Sequence, residues 1–294
     1  MNVLVLGGTG FIGRALCAEL LERGHAVTAL ARNPADAGLP DGVTVTMGDV
    51  TARASIEPAF DGQDVAVNLV SLSPLFQPPR GLTHERVHLG GTRNVVAAAE
   101  AQGVPKLVQM SALGADPTGP TEYIRAKGRA ERVVTGSDLE WTIFRPSVVF
   151  GDGDEFVSFT KQLTTPYVTA LPGGGRTRFQ PIWVEDLVGM LADGLADEHS
   201  GETYEIGGPE VLTLADVARL VSESEGRSLT VVSMPMGLAR LGLSLADPLP
   251  FVPLGADQYR SLTFDNTVAE NDVVAFGVAP ADLLTFREYL DIST

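Results

Sequence analysis

The chain has 294 residues, 44% of them apolar, and its 37 acidic and 21 basic side chains leave a net charge of −16. That length and apolar fraction suit one large α/β domain with an appended lobe and exclude a disordered chain, while the charge argues against nucleic acid as a partner. Only three lysines occur, Lys106, Lys127 and Lys161, and such acid-rich, lysine-poor composition points to a high-salt cytoplasm, an ordinary acidic protein being the alternative.

The apolar run Val3-Leu4-Val5-Leu6 predicts a first strand, and Gly7-Gly8-Thr9-Gly10-Phe11-Ile12-Gly13 follows it. A helical pattern opens there, with Ile12, Leu16 and Leu20 on one face. Strand, glycine turn and helix in that order form the context in which a glycine motif signals dinucleotide binding. Gly7 permits the tight turn, Gly10 lets a pyrophosphate approach the main chain, and Gly13 lets helix and strand pack closely. The N–H groups of the helix start, around Thr9, Phe11 and Ile12, face the phosphates with the positive end of the helix dipole. The alternative is an ordinary βα turn with glycines chosen for packing.

Ala26–Ala31 predicts the second strand. Where an NAD site places an acid, the sequence reads Ala31-Arg32-Asn33. Arg32 can pair with a ribose 2′-phosphate, so NADP(H) is favoured over NAD(H); a solvated loop arginine is the alternative. A third strand is expected over residues 43–47, ending at Gly48-Asp49-Val50. Asp49 is placed either to face the adenine amino group or to cap a helix starting near Thr51. Residues 65–70 form a near-continuous apolar run, as a covered parallel strand should. Leu69, Val70 and Ser71, at its C-terminal edge, stand where ligands of open α/β sheets lie. A helix over 84–102 and a buried strand over 107–110 extend the alternation into a doubly wound parallel sheet.

Ser111 then stands at a strand end. Tyr123-Ile124-Arg125-Ala126-Lys127 puts Tyr123 and Lys127 four apart, on one helical face. A lysine ammonium beside a phenol favours phenolate, which suits Tyr123 to proton transfer near neutral pH. Ser111 can hydrogen-bond a substrate oxygen. The same spacing also occurs on solvated helices.

Residues 141–144 predict a sixth strand. Pro172-Gly173-Gly174-Gly175 marks a turn, and Arg176 and Arg178 after it are candidates for a substrate pyrophosphate, with plain surface charge as the alternative. A helix is expected from Glu185-Asp186 through residue 196, and another over 214–225 with Thr213 as N-cap and Asp216 in the capping-box position. Residues 234–251 are apolar and rich in glycine and proline: a lid over the substrate cleft, a surface that lies on a membrane or on a membrane-complex partner, or simply lobe core. Cys17 sits in the first helix and cannot form an internal disulfide. The four histidines lack metal-ligand spacing, so no metal is expected, and no run of about 18 uncharged apolar residues suggests a transmembrane span.

With GGTGFIG at 7–13, GDV at 48–50, the Ser111 strand end, YIRAK at 123–127, RPSVVFG at 145–151, PIWVEDL at 181–187 and YEIGGPEVLTL at 204–214, the chain resembles the short-chain dehydrogenase/reductase superfamily, in its extended and atypical branch. The stretch from Met110 to Pro117 and the tail from Leu262 to Gly277 narrow the resemblance to the 39-kDa-type accessory subunits of respiratory complex I and their prokaryotic, epimerase-like relatives. The resemblance implies a Rossmann core over 1–150 and a small C-terminal α/β substrate lobe over 151–294, with segments around 181–207 returning to the core. It implies that Gly7, Gly10 and Gly13 hold the pyrophosphate, that Asp49 and Val50 line the adenine, and that Pro146 and Val148 lie near the nicotinamide. Tyr123 is the implied acid/base, Lys127 also binds the nicotinamide ribose, and Ser111 orients the substrate. Aligned on Gly91-Thr92, His88 takes the place of an asparagine found in extended enzymes; it can relay a proton or be a plain helix residue. The implied activity is hydride transfer at a carbonyl or alcohol carbon of a small molecule such as a nucleotide sugar. The rival reading is a non-catalytic NADPH-holding subunit beside a membrane respiratory complex. Either way a cytoplasmic location is expected, peripheral to the inner face of the membrane in the second case.

Overall fold

The computed structural model describes residues 1–34, 38–234, 260 and 264–292. Two compact units are distinguished: Met1–Leu72, Pro79–Pro146 and Val184–Glu205 form the first, and Ser73–Pro78, Ser147–Trp183 and Ile206–Thr294 the second. Residues 235–251 of the apolar, proline-rich segment lie outside the described residues.

Among the described residues, the first unit is built on a seven-stranded sheet. Its strands are β1 (Asn2–Leu6), β2 (Ala26–Ala31), β3 (Thr44–Met47), β4 (Val65–Asn68), β5 (Lys106–Met110), β6 (Glu140–Pro146) and, at the edge beside β6, a strand over Glu202–Ile206. The spatial order from the other edge is β3-β2-β1-β4-β5-β6, and each of these neighbours pairs in parallel. The chain winds outward from β1 to β3, then returns across β1 to β4, so the order reverses between β1 and β4. Ligands of such sheets lie at the C-terminal edge of that switch point.

Leu4, Leu6, Leu30, Ala66 and Leu107 on the strands pack with Ile56, Phe60, Val95 and Ala99 in one buried cluster. The first helix, α1 (Phe11–Glu22), buries Gly13, Leu16, Cys17 and Leu20. Its inner face therefore runs through Gly13 and Cys17, with Ile12 only half-buried. The helix expected over 84–102 divides in two. Glu85–Gly90 is a π-helical turn, followed by α2 (Gly91–Gln102), which Gly103 ends in the left-handed conformation. The next helix, α3 (Glu122–Thr135), starts on a Thr121 cap whose side chain accepts from the Ile124 N–H. The helix expected through residue 196 spans Val184–Asp193.

The second unit buries an aromatic core of Phe150, Phe156, Phe159, Phe179 and Phe286. Val168–Pro172 pairs in parallel with Thr230–Met234. Helix α4 (Leu214–Ser224) carries the capping box read from the sequence: Thr213 Oγ1 accepts from the Asp216 N–H, and the Thr213 N–H donates to Asp216 Oδ2, both at 3.1 Å. Among the described residues no helix is long and apolar enough to cross a membrane.

Candidate nucleotide-binding and catalytic site

The β1–α1 corner is drawn tight by its own main chain. Gly7 adopts φ +82°, donates its N–H to Leu30 O at 2.9 Å, and accepts from the Gly10 N–H at 2.9 Å. A Cβ on Gly13 would stand 2.2 Å from Gly7 O and 2.7 Å from Gly8 Cα, so only glycine lets the helix come this close. Gly10 is the N-cap of α1 and supplies no side-chain cap. The leading N–H groups of α1, on Phe11, Ile12 and Gly13, thus have no side-chain cap, the condition under which a helix start suits an anion. This glycine-built helix start at the end of β1 suits a dinucleotide pyrophosphate.

Of the other expected cofactor residues, Leu69 and Val70 stand beside it. A Cβ on Gly7 would lie 3.3 Å from Val70 N and 3.4 Å from Leu69 C, so the end of β4 abuts the corner. Leu69 and Val70 follow the strand, which ends at Asn68, rather than extending it. Ser71 Oγ donates to Leu72 O. Asp49 Oδ1 accepts from the Thr51 N–H at 2.8 Å, and the Asp49 N–H donates to Ser55 Oγ at 3.0 Å, so this acid organises its own turn; the short helix Arg53–Ile56 has Ala52 as its N-cap. Val50 is buried, its side chain 2.9 Å from where a Cβ on Gly91 would be. Arg32 is exposed one residue beyond β2. Arg14, on the first turn of α1, donates from Nη1 to Thr9 O at 2.9 Å.

The second cluster forms where α3 crosses the end of β5. Lys127 is 2% exposed, and its Nζ donates to Met110 O at 3.0 Å while lying 5.8 Å from the centre of the Tyr123 ring. Burial pushes the Lys127 ammonium down to about 8, against the opposing pull of Glu131. The Met110 carbonyl also accepts from Gln109 Nε2, and Gln109 Oε1 accepts from Asn68 Nδ2, so a buried polar chain ties the ends of β4 and β5 to the lysine. Tyr123 packs edge-on against two buried histidines: His84 at 5.5 Å and His88 at 5.3 Å between ring centres, the histidines stacking on each other at 5.5 Å. His88 Nε2 accepts from the Leu72 N–H, and burial, then Lys127 and His84, hold its imidazole well below the ordinary 6.5. His88 is thus a neutral side chain packed on the tyrosine.

Ser111 is buried, and its hydroxyl donates to Glu131 Oε1. Glu131 is itself held by Arg145 through Nε–Oε1 at 2.9 Å and Nη2–Oε2 at 2.6 Å, and Arg145 reaches Glu205 at 3.2 Å. A serine has one proton to donate, so in this arrangement Ser111 offers the site lone pairs rather than a donor. Pro146 closes β6 and accepts from the Leu113 N–H at 3.0 Å.

Glu131, Arg145, His84 and Arg14 were not singled out from the sequence. Glu131 had a signal: it stands four residues beyond Lys127, as Lys127 does beyond Tyr123, on one helical face. Val148, Arg176 and Arg178 belong to the second unit. The Val148 N–H donates to Asn266 Oδ1 at 3.1 Å. Arg178 is committed to Asp265, with Nη2–Oδ2 at 2.6 Å and Nε–Oδ2 at 2.9 Å, and that pairing, led by its hydrogen bonds, lowers the Asp265 carboxyl. Arg176 is exposed.

The profile of the NAD(P)H-binding family matches residues 7–166, more than half of the chain. The chain belongs to that family. It is 28% identical, over 91% of its length and 71% of the relative's, to NADH dehydrogenase [ubiquinone] 1 alpha subcomplex subunit 9, mitochondrial, of Arabidopsis thaliana. It is also 28% identical to a 3-beta-hydroxysteroid dehydrogenase of Mycolicibacterium neoaurum, over 78% of this chain and 71% of that one. In architecture it resembles the UDP-glucose 4-epimerase of Thermus thermophilus in complex with NAD, with a TM-score of 0.75, 21% identity and coverage of 99% and 97% of the two chains. That likeness shows a Rossmann-like α/β fold. The relatives of this NAD(P)H-binding chain thus include enzymes and a respiratory-complex subunit.

Proposed function

We propose that this NAD(P)H-binding protein is an oxidoreductase that moves hydride at a carbonyl or alcohol carbon of a small molecule, with Tyr123 as the proton-transferring acid/base. The observation that carries this reading is Lys127, fully buried yet held 5.8 Å from the Tyr123 ring and hydrogen-bonded at a strand end. A buried cation in that place favours ionised phenol and would otherwise be a cost without return. The bound nicotinamide supplies or accepts the hydride. The α1 start holds its diphosphate; Arg32 favours the 2′-phosphate form; Tyr123 gives or takes the proton on the substrate oxygen; and Lys127 stabilises the phenolate and binds ribose hydroxyls. Ser111, its proton given to Glu131, accepts from a substrate hydroxyl and so suits the alcohol side of the reaction better than the carbonyl side. Candidate substrates are the classes named for the relatives, a nucleotide sugar or a hydroxysteroid; of the two arginines, Arg176 is the candidate for a sugar-nucleotide pyrophosphate, since Arg178 is held by Asp265.

Three observations favour a second reading. Ser111 is turned to the partly buried Glu131–Arg145 ion pair, His88, where the resemblance implies an asparagine, is a neutral packed ring, and a 28% identical relative is named as a subunit of NADH dehydrogenase. On that reading the protein keeps NADPH as a structural or redox-sensing group beside a membrane complex. Tyr123→Phe separates the two. The enzyme loses turnover with UDP-glucose or a 3-hydroxysteroid as probe yet keeps its nucleotide affinity. Unchanged behaviour of that variant, together with co-purification with membrane complexes, sinks the catalytic reading.

A further inference from the structure

We propose that Glu131 is a positioning residue for the proton-transfer pair: its carboxylate keeps Lys127 charged beside Tyr123. The inference rests on the proposed roles of Tyr123 and Lys127 and deepens them.

The placement begins with helical spacing. Tyr123, Lys127 and Glu131 follow one another at four-residue steps along α3, so they share one row of the helix, and Lys127 and Glu131 are both buried. Glu131 is fixed at both carboxylate oxygens. Its Oε1 accepts from Ser111 Oγ and from Arg145 Nε, and its Oε2 accepts from Arg145 Nη2. It cannot swing away from the row without leaving a guanidinium and a hydroxyl short of a partner.

The charges of the cluster then assign Glu131 to Lys127. Arg145 is shared, because its Nη1 also reaches Glu205 at 3.2 Å. Two carboxylates around one guanidinium leave a negative charge in excess, and a protonated Lys127 matches it. A neutral Lys127 would leave that excess unmatched next to the interior. The other groups around the lysine do not take this part. His88, on the π-turn, is held neutral, and Lys127 is itself one of the causes. His84 stacks on His88 and meets the Tyr123 ring edge-on. Met110 O and the Asn68–Gln109 chain carry no charge. Burial works against the ammonium and Glu131 works for it. The charged lysine is what favours ionised phenol at Tyr123, so Glu131 governs the proton transfer from one helical turn away.

The test is an NMR titration of the full chain labelled with [ε-13C]lysine. Only Lys106, Lys127 and Lys161 give signals, so single Lys→Arg substitutions assign them. In wild type Lys127 should titrate at about 8. In Glu131→Gln its midpoint should fall by about one pH unit or more, with Lys106 and Lys161 unmoved. Glu131→Asp keeps the charge and should restore most of that fall. A merely structural role has the opposite sign: if the glutamine variant loosens the cluster, water reaches Lys127 and its midpoint climbs towards 10.5. A rise or no change in Glu131→Gln overturns the proposal, as does an equal fall in Glu131→Asp or a wild-type midpoint near 10.5. Should Glu131→Gln fail to fold, Glu131→Asp decides alone: a midpoint close to wild type supports the proposal and a large shift overturns it. The lysine signal needs no turnover. If the midpoints behave as expected while Tyr123→Phe is silent, the hold of Glu131 on Lys127 stands and the acid/base reading of Tyr123 falls.

Discussion

Lys127 is a cation held where charge is costly, and that leaves a signature in the pH dependence of stability. Its ammonium titrates at about 8 in the fold against an ordinary 10.5. Between those values the unfolded chain keeps a proton that the folded chain has released, so stability rises with pH across this window. Chemical denaturation should show wild type gaining on Lys127→Met as pH climbs from 8 to 10.5, with a slope of at most roughly 1.4 kcal/mol per pH unit. Parallel profiles for the two proteins would show that the lysine is not desolvated. At this scale the sequence was informative where partners are near each other on one helix. Tyr123 and Lys127 declared themselves by spacing, and Glu131 continues the same row. Ser111 did not disclose its partner, because the contact joins a strand end to a helix 20 positions later and Arg145 enters from another strand. No local pattern encodes such a meeting.

At the scale of elements the β1–α1 corner governs. A methyl on Gly13 would meet Gly7 O at 2.2 Å, so Gly13→Ala must push α1 away from the strand. The expected outcome is loss of NADPH and NADH binding together, by at least about tenfold, since the displaced N–H groups serve the phosphates common to both; retained affinity for either would show that the corner does not hold the diphosphate. A milder case is α4. Thr213→Ala removes one half of its capping box and should lower stability by about 1 kcal/mol in a urea titration, with the midpoint moving and the slope unchanged. The first six strands and most helix starts were legible because covered parallel strands read as apolar runs and caps have short-range signatures. The π-turn Glu85–Gly90 was not, since its hydrogen-bond register has no compositional mark and its residues continue an ordinary helical pattern. Asp49 left two roles open in the sequence; the following helix is capped at Ala52, so Asp49 does not take the capping role, and its Oδ1 instead accepts from the Thr51 N–H within its own turn.

For the whole chain the dominant quantity is the net charge of −16. Folding concentrates those carboxylates, and salt screens them: the Debye length falls from roughly 30 Å at 0.01 M to about 3 Å at 1 M. The melting temperature should therefore rise with added sodium chloride, most steeply at low ionic strength; a flat response would mean that the repulsion is already compensated by local pairs. Strand–helix alternation was enough to foretell a doubly wound sheet, and the reversal between β1 and β4 follows from it. The parallel pair joining Val168–Pro172 to Thr230–Met234 was beyond reach, because strands separated by about sixty positions carry nothing that names each other. The single thiol has a use of its own. Cys17 is fully buried in α1, its Sγ points at Gly8 O, and burial pushes its pKa up to about 12, so the folded chain presents almost no thiolate. Alkylation at this position must wait for the corner to open, and its rate with a maleimide becomes a clock for that opening; a coenzyme seated there should slow the clock by the factor 1 + [L]/Kd.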